Sequence, residues 1–521
     1  MNGKIKYLLP SIGQTLFLAV FLTLFFHSEC PLLRDGDTGI HVRTGEVILD
    51  TLSVPARDIF SFHSPPLPWT AHEWLSEVVM ALLHRAFGLT GVVLFFILLI
   101  SLTYFLLFKV LRTNGGNILA DTFLVFLVII SSYLHWLARP HIFSLFLLVV
   151  WSSLLDSFQR YGKTRSLFYL PPLMLLWVNL HGGFIIGFLL VGIYFLGNLA
   201  KYGFSHGSEK EQAKVMARNL GFTLLGCFLV SLINPYGYRL LSFPFTLVTN
   251  RYFVDNVVEF LSPDFHKILP FKYLLFFMIA IFAISPKPAS LVELALVLVF
   301  AGMAIYSYRY IPLYCVIIAP ILSRQAKSLL ARSEGPRRKN FHNEAENIAS
   351  IDSFVKGYLL IFVALVIVIA VATKGNLEFV FDGKKKPVAA VDFLKKENIK
   401  GDMFNMDEFG DFLIYLAYPQ YRVFIDGRLD VYGAEKFKEY IKVVILGPGW
   451  EKVLEKYDIG WIFFDANSVL SRSLYEKKGW RLIYADNVAN IFAKERAEYQ
   501  DLIQKYGNVT PVANGEKKAG D

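Results

Sequence analysis

Cysteine and charge are both scarce in this chain. Its three cysteines, Cys30, Cys227 and Cys315, lie at or inside apolar runs, with neither paired nor metal-ligand spacing, which excludes a disulfide framework. Charged residues make up only 18% against 55% hydrophobic ones, and the mean hydropathy is +0.45. This balance excludes a chain solvated on all sides and makes lipid its main solvent. A small-residue cleavage site is also lacking after the first apolar run, where His27, Ser28, Glu29 and Cys30 follow Phe26. Residues 7 to 26 therefore read as a retained first helix rather than a signal peptide. The net charge of +9 would suggest an anionic partner in a soluble protein. Here the excess sits in short loops between apolar runs, where it sets orientation, so no nucleic-acid partner is expected.

What is present is a series of runs long enough, or nearly so, to cross a bilayer. They lie near 7 to 26, 89 to 111, 118 to 137, 141 to 155, 167 to 178, 183 to 200, 219 to 234, 271 to 285, 289 to 306, 309 to 323 and 356 to 373. The pattern predicts a polytopic α-helical membrane protein of about eleven spans in the cytoplasmic membrane. Placing the N-terminus in the cytoplasm puts Arg324, Lys327, Arg332, Arg337, Arg338 and Lys339 in an inner loop 324 to 355. The odd span count then sends the C-terminal domain to the periplasmic or extracellular side. The run 167 to 178, interrupted by Pro171 and Pro172, is the shortest, and losing it would invert every later loop.

Domain boundaries follow from shifts in pattern: a transmembrane module over 1–373, a soluble α/β domain over 374–498, and a disordered tail over 499–521. Within the first, the outer loop 28–88 holds two amphipathic segments, Gly39 to Asp50 and Ala71 to Phe87, expected as helices at the membrane surface. Pro55, Pro65, Pro66 and Pro68 between them forbid a regular helix. A second outer loop, 235 to 270, carries Asp255, Glu259 and Asp264 and is placed to cap a cavity. The C-terminal domain reads as helix at 388–397, 410–417 and 434–442, and as strand at 402–406, 422–425, 461–465, 480–484 and 489–493.

The stretch Arg34-Asp35-Gly36-Asp37-Thr38-Gly39-Ile40-His41 follows the first span directly. A carboxylate at the outer mouth of a membrane cavity can take a proton from an acceptor hydroxyl or hold a divalent cation. The plainer alternative is a turn, with Thr38 or Asp37 capping the next helix. Arg139 and His141 fall at one outer helix turn, and Asn179 and His181 at another. Polar groups there are costly against lipid, so they are expected to face a shared wet cavity. His72 and Glu73 open a surface helix, where Glu73 also suits the helix dipole.

Asp-x-Asp after the first helix, a long first outer loop, some eleven spans and an outward C-terminal domain together resemble the C-type membrane glycosyltransferase superfamily (GT-C). The resemblance extends to a prokaryotic membrane group within it, nearly end to end. It rests on Asp37-Thr38-Gly39-Ile40-His41-x-x-Thr44-Gly45, Pro55-x-x-Asp58-x-Phe60-Ser61-Phe62, Trp69-x-Ala71-His72-Glu73-Trp74-Leu75 and Arg139-Pro140-His141-x-x-Ser144. Trp177-x-Asn179-x-His181-Gly182-Gly183, Asn234-Pro235-x-Gly237, Arg309-x-x-Pro312 and Phe424-Ile425-Asp426-Gly427-Arg428 continue it. Thr38-Gly39-Ile40 stands where that group usually has aromatic residues. Met406-Asp407-Glu408-Phe409-Gly410 with Arg422 to Asp426 also resembles the acceptor-reading domain of oligosaccharyltransferases, without their double-tryptophan signature; solvated acids on a strand and turn are the alternative.

The resemblance implies transfer of a sugar from a polyprenyl-phosphate donor to a glycan, lipid or protein acceptor at the outer membrane face, usually with inversion. It makes Asp37, or else Asp35, the catalytic base, and gives Arg309, Arg139, His141 and His181 to the donor phosphate. His41, His72, Glu73, Asn179 and Asn234 would contact substrate. Arg309 equally suits snorkelling to the interface beside Tyr306, Tyr308 and Tyr310. No cofactor is specified beyond a divalent metal ion held by Asp35 and Asp37. The rival readings are a transporter or lipid flippase, a non-catalytic cell-envelope assembly protein, and an oligosaccharyltransferase-like enzyme.

Overall fold

The computed structural model describes residues 5–27, 30–267, 269–331, 336–373 and 378–512. The chain forms two compact units, one of residues 1–31 and 89–378, the other of 32–88 and 379–521. The first is a bundle of apolar helices: Ile12–Phe25, 89–113, Ile118–Ser132, His141–Tyr161, Leu170–Leu180, Phe184–Phe204, Gly207–Ser231, Pro270–Ile284, Leu291–Tyr306, Ile311–Ala331 and Tyr358–Thr373. Among the described residues, six helices are long and apolar enough to cross a membrane singly, and Ile12–Phe25, Pro270–Ile284 and Leu291–Tyr306 are shorter apolar helices. A bent pair, Asn343–Phe354 and Tyr358–Val371, adds a seventh candidate span. The protein is a multi-pass membrane protein, as its hydropathy predicts.

Local chemistry sets the helix ends. Ser11 with Gln14, and Ser290 with Glu293, form capping boxes that satisfy the first backbone N–H groups of their helices. Pro171 and Pro172 fall in the first turn of Leu170–Leu180, where a missing N–H removes no helical hydrogen bond. Their helix is accordingly intact, preceded by the 3₁₀ turn Thr164–Tyr169. The expected loop 201 to 218 shrinks to Ser205 and His206, because Gly207–Ser231 starts within it. Arg324 is likewise no loop residue. It lies inside Ile311–Ala331, where its guanidinium is 3.2 Å from Asp156 and 2.9 Å from Glu293. These carboxylates neutralise a charge that lipid would exclude.

The second unit contains a four-stranded sheet in the order β1-β2-β4-β3. The strands are β1 (Met403–Asn405), β2 (Trp461–Asp465), β3 (Trp480–Ala485) and β4 (Ala489–Lys494). β1 and β2 are parallel, and β4 is antiparallel to both neighbours. Helices Val388–Glu397, Asp407–Ala417, Leu429–Val444 and Val469–Glu476 flank it as expected of an α/β domain. The segment 422–425 departs from expectation, for it joins no sheet strand. Instead Val423 N–H donates to Phe60 O at 3.0 Å and Phe62 N–H donates to Val423 O at 3.2 Å. The expected tail is also ordered at its start, since Gln500–Tyr506 is a helix tied to Glu397 by Lys505 and Tyr506. Residues 513–521 of that tail lie outside the described ones.

The first outer loop, expected within the transmembrane module, thus packs into the C-terminal unit. Its helices are Asp37–Thr51 and 74–87, the latter ending where Gly88 breaks the long helix Trp74–Thr113 at φ 63°. They run in the same direction, with Gly45 at the crossing, where a Cβ would lie only 1.9 Å from Glu77 O. Helix 74–87 buries Ser76, Glu77, Met80 and Ala81 and leaves Leu82 (52%) and Phe87 (66%) exposed. Gly45→Val should destabilise the unit by about 1–3 kcal/mol, the usual cost of overpacking, read as a lower thermal unfolding midpoint in detergent. An unchanged midpoint would mean that the crossing is not tightly packed.

Candidate functional site

The parallel crossing puts His41, four residues before Gly45, against Glu77 on the facing helix and Glu73 just before its start. His41 Nδ1 lies 3.1 Å from Glu77 Oε1 and 3.6 Å from Glu73 Oε2. One donor atom from each residue falls within 4.8 Å of the others. Glu77 is 4% exposed, and its Oε2 is buried without a hydrogen-bond partner. Burial pushes its carboxyl up to about 8, against the opposing pull of His72 and Arg428. A cavity of about 40 Å³ opens onto His41, Glu73, Glu77, His72 and Arg428. That volume admits an ion with a water. One imidazole, two carboxylates and an orphaned oxygen suit a zinc-like or manganese-like divalent cation with an open coordination position.

Behind this cavity stands an ion cluster built from two distant segments. Arg428 Nη2 lies 2.7 Å from Asp58 Oδ1 and 2.6 Å from Asp426 Oδ2. Both carboxylates are fully buried, and the Arg428 side chain is 11% exposed. Tyr432 OH donates to Asp426 at 2.6 Å. The guanidinium packs 4.4 Å from the Trp69 ring centroid and 5.0 Å from that of Phe60. Asp58 also accepts the backbone N–H groups of Phe60 and Ser61, both at 3.1 Å, fixing the proline-rich turn. Burial would raise the Asp58 pKa, but Arg428 and these hydrogen bonds hold it below the ordinary value.

Asp37 lies in the first turn of its helix, with Gly36 as the cap residue, so neither Asp37 nor Thr38 caps it. Asp35 sits in the turn just before, and neither aspartate joins the His41, Glu73 and Glu77 group. Asp37 instead neighbours the buried Asp411. A Cβ built on Gly427 would lie 2.9 Å from Asp411 Oδ2 and 3.3 Å from Asp37 Oδ1, so a side chain there would displace these carboxylates. Gly427 N–H donates to Asp411 at 3.0 Å. Burial, then Asp37 and Asp426, raise the Asp411 carboxyl well above its ordinary range.

The remaining expected site residues belong to the membrane unit. Arg139 Nη1 lies 3.4 Å from Glu259 Oε1, and Arg309 stacks 4.7 Å from the Phe260 ring. Ser307 donates to Glu259 O at 3.0 Å, so the second loop is tied across the turn carrying Arg309. Arg139 first, and Arg309 with it, keep the exposed Glu259 carboxyl below its ordinary range. His141 Nε2 reaches His135 O at 2.7 Å. His181 Nδ1 accepts from Gly183 N–H at 2.9 Å and pairs with Ser144 Oγ at 2.7 Å, which leaves the neutral ring's proton on Nε2. His181 thus joins the helix that His141 begins. Asn179 and Asn234 bond backbone carbonyls, at Ile233 and Gly237 respectively, and tie off helix ends.

Glu77, Asp58, Asp411 and Arg428 were not singled out for site roles by the sequence. Glu77 had a signal in its i, i+4 spacing from Glu73, and Asp58 and Arg428 stood inside quoted motifs. Asp411, one residue beyond Gly410, had none.

A helical membrane bundle and a small α/β unit together make a fold that has solved counterparts. Solved oligosaccharyltransferases of the archaeon Archaeoglobus fulgidus share this architecture. The apo structure matches with a TM-score of 0.55 at 13% identity, over 93% of this chain and 74% of that one. AglB in complex with an inhibitory peptide and a dolichol-phosphate matches at 0.56 and 12%, over 93% and 74%. The complex with Zn and sulfate matches at 0.50 and 13%, over 93% and 73%. No family model matches the chain, and no curated protein does.

Arg428→Leu should cost about 3–5 kcal/mol by stranding two buried carboxylates, read in thermal unfolding. Asp58 has a lowered folded pKa, so its stabilisation is present at neutral pH and lost as pH falls below the ordinary value of 3.8. Asp58→Asn should flatten that acid limb. Separately, equilibrium dialysis should show one Zn²⁺ or Mn²⁺ bound by the protein and none by Glu73→Gln/Glu77→Gln. Equal binding by both proteins would exclude these carboxylates as ligands.

Proposed function

We propose that the protein is a membrane glycosyltransferase that moves a sugar from a polyprenyl-phosphate-linked donor to an acceptor at the outer face of the cytoplasmic membrane. The observation that carries this reading is Asp37 beside the buried Asp411 at Gly427, in the first loop of a fold shared with oligosaccharyltransferases. Asp37 takes the acceptor proton as the acceptor oxygen attacks the anomeric carbon. The carbon–oxygen bond to phosphate breaks, and the lipid phosphate leaves with the electron pair. Arg309 and Arg139, with His141 and His181, are assigned to that phosphate, where Glu259 now serves as counter-ion. His41, His72 and Glu73 are assigned to substrate around the cation site, and Asn179 and Asn234 support the donor end. A cation held by His41, Glu73 and Glu77 would supply Lewis-acid stabilisation of negative charge. Asp35 remains a second candidate base or ligand.

The oligosaccharyltransferase fold supports a second reading, in which the donor is a lipid-linked oligosaccharide and the acceptor a peptide. A panel of labelled polyprenyl mono- and diphosphate sugars, offered with glycan, lipid and peptide acceptors, separates the two by product. Asp37→Asn should lower kcat by about 100-fold or more, the scale of lost general-base catalysis, with KM little changed. Asp35→Asn should change kcat less. Full activity of Asp37→Asn with the correct donor would end its role as base, and no transfer from any donor would favour transport or assembly.

A further inference from the structure

Helix His141–Tyr161 ends at Gly162, whose φ of 63° turns the chain back on itself. The 3₁₀ turn Thr164–Tyr169 is then pinned to the helix it has left. Ser166 Oγ lies 2.9 Å from Leu154 O and 2.7 Å from Lys163 O, and its one proton bonds between them. Between helix end and turn lies a cavity of about 410 Å³, floored by Leu154 and Ser157 and rimmed by Lys163, Thr164, Arg165 and Tyr169. That is room for a phospholipid headgroup with its glycerol.

The charge around it is unbalanced. Arg160, nearest the helix end, lies 3.6 Å from Asp156, a carboxylate that Arg324 also holds. Lys163 and Arg165 are exposed. Among the described residues neither has a carboxylate partner. Lys163 instead lies 5.4 Å from the Tyr161 ring. Three large rings stand out at the same helix end: Tyr161 at 51% exposed, Phe168 at 74% and Tyr169 at 62%. Exposed aromatics at the end of an apolar span belong at headgroup depth, with acyl chains on one side and water on the other. A free anion would have no use for such rings, whereas a lipid needs both the cations and the aromatic wall.

We propose that the cavity between the end of helix His141–Tyr161 and the turn Thr164–Tyr169 binds the headgroup of an anionic phospholipid. Lys163 and Arg165 take the phosphate, and Tyr161, Phe168 and Tyr169 border the glycerol and first acyl carbons. The site is independent of the transfer reaction.

The test compares purified full-length protein in detergent with added phosphatidylglycerol, phosphatidylcholine or inorganic phosphate, reading retained lipid by native mass spectrometry and stability by thermal unfolding. Phosphatidylglycerol should be retained and should raise the unfolding midpoint. Phosphatidylcholine and millimolar phosphate should do neither. Losing two surface cations should weaken phosphatidylglycerol binding roughly 30-fold in Lys163→Gln/Arg165→Gln. Both side chains are exposed, so the lipid-free midpoint should not change, and the two single variants provide a graded check if it does. Equal retention of both lipids, wild-type phosphatidylglycerol affinity in the double variant, or displacement of the lipid by phosphate would each overturn the proposal.

Discussion

Arg428 holds together segments that lie 370 residues apart in the chain. Its guanidinium is shared by Asp58 from the first loop and Asp426 from the C-terminal unit, and it is walled by Phe60 and Trp69. Two buried carboxylates and one guanidinium are stable only together, because each charge removed from water needs its partner. The proline-rich segment has no helix or sheet of its own, so this cluster, with the Phe60–Val423 pairing, gives it a definite position. The same arginine then faces the cavity of His41, Glu73 and Glu77.

A second constraint is steric. Gly45 lets Asp37–Thr51 approach the backbone of the helix bearing Glu77, and Gly36 and Gly427 leave room beside Asp411. Any side chain at these positions would push apart groups whose chemistry depends on closeness: an imidazole with two carboxylates, and one carboxyl beside another. The first-loop motifs rich in Gly, His and acidic residues are therefore packing motifs as well as chemical ones. Burial also explains why the acids differ in kind. Asp58, facing a guanidinium, stays ionised, whereas Asp411, facing other carboxyl groups, is driven towards its protonated form.

Much of the fold was legible because lipid leaves few alternatives to helices. Each of the expected apolar runs corresponds to a helix, and β1 to β4 fall where β-rich runs end in turns. Pro171 and Pro172 looked like a broken span but stand in a first turn, where proline is tolerated. The helical extension into the basic segment after residue 206 was missed because its charges mask a period that the hairpin partner stabilises. Arg324 read as an orientation signal since its neutralising partners, Asp156 and Glu293, are remote in sequence.

Local pattern alone was enough to determine a polytopic membrane protein with an α/β domain, the helix starts around Asp37 and Trp74, and the acidic first loop as the place to look for chemistry. Periodicity, capping and hydropathy are short-range properties, and they act within a turn or a span. Only the tertiary structure decided that the first loop folds with the C-terminal unit, that His41, Glu73 and Glu77 come together as a group able to hold a metal ion, and that Asp37 has Asp411 beside it. These depend on side chains tens to hundreds of residues apart meeting in a buried space, where desolvation and partner charge, not sequence neighbours, set what each group can do.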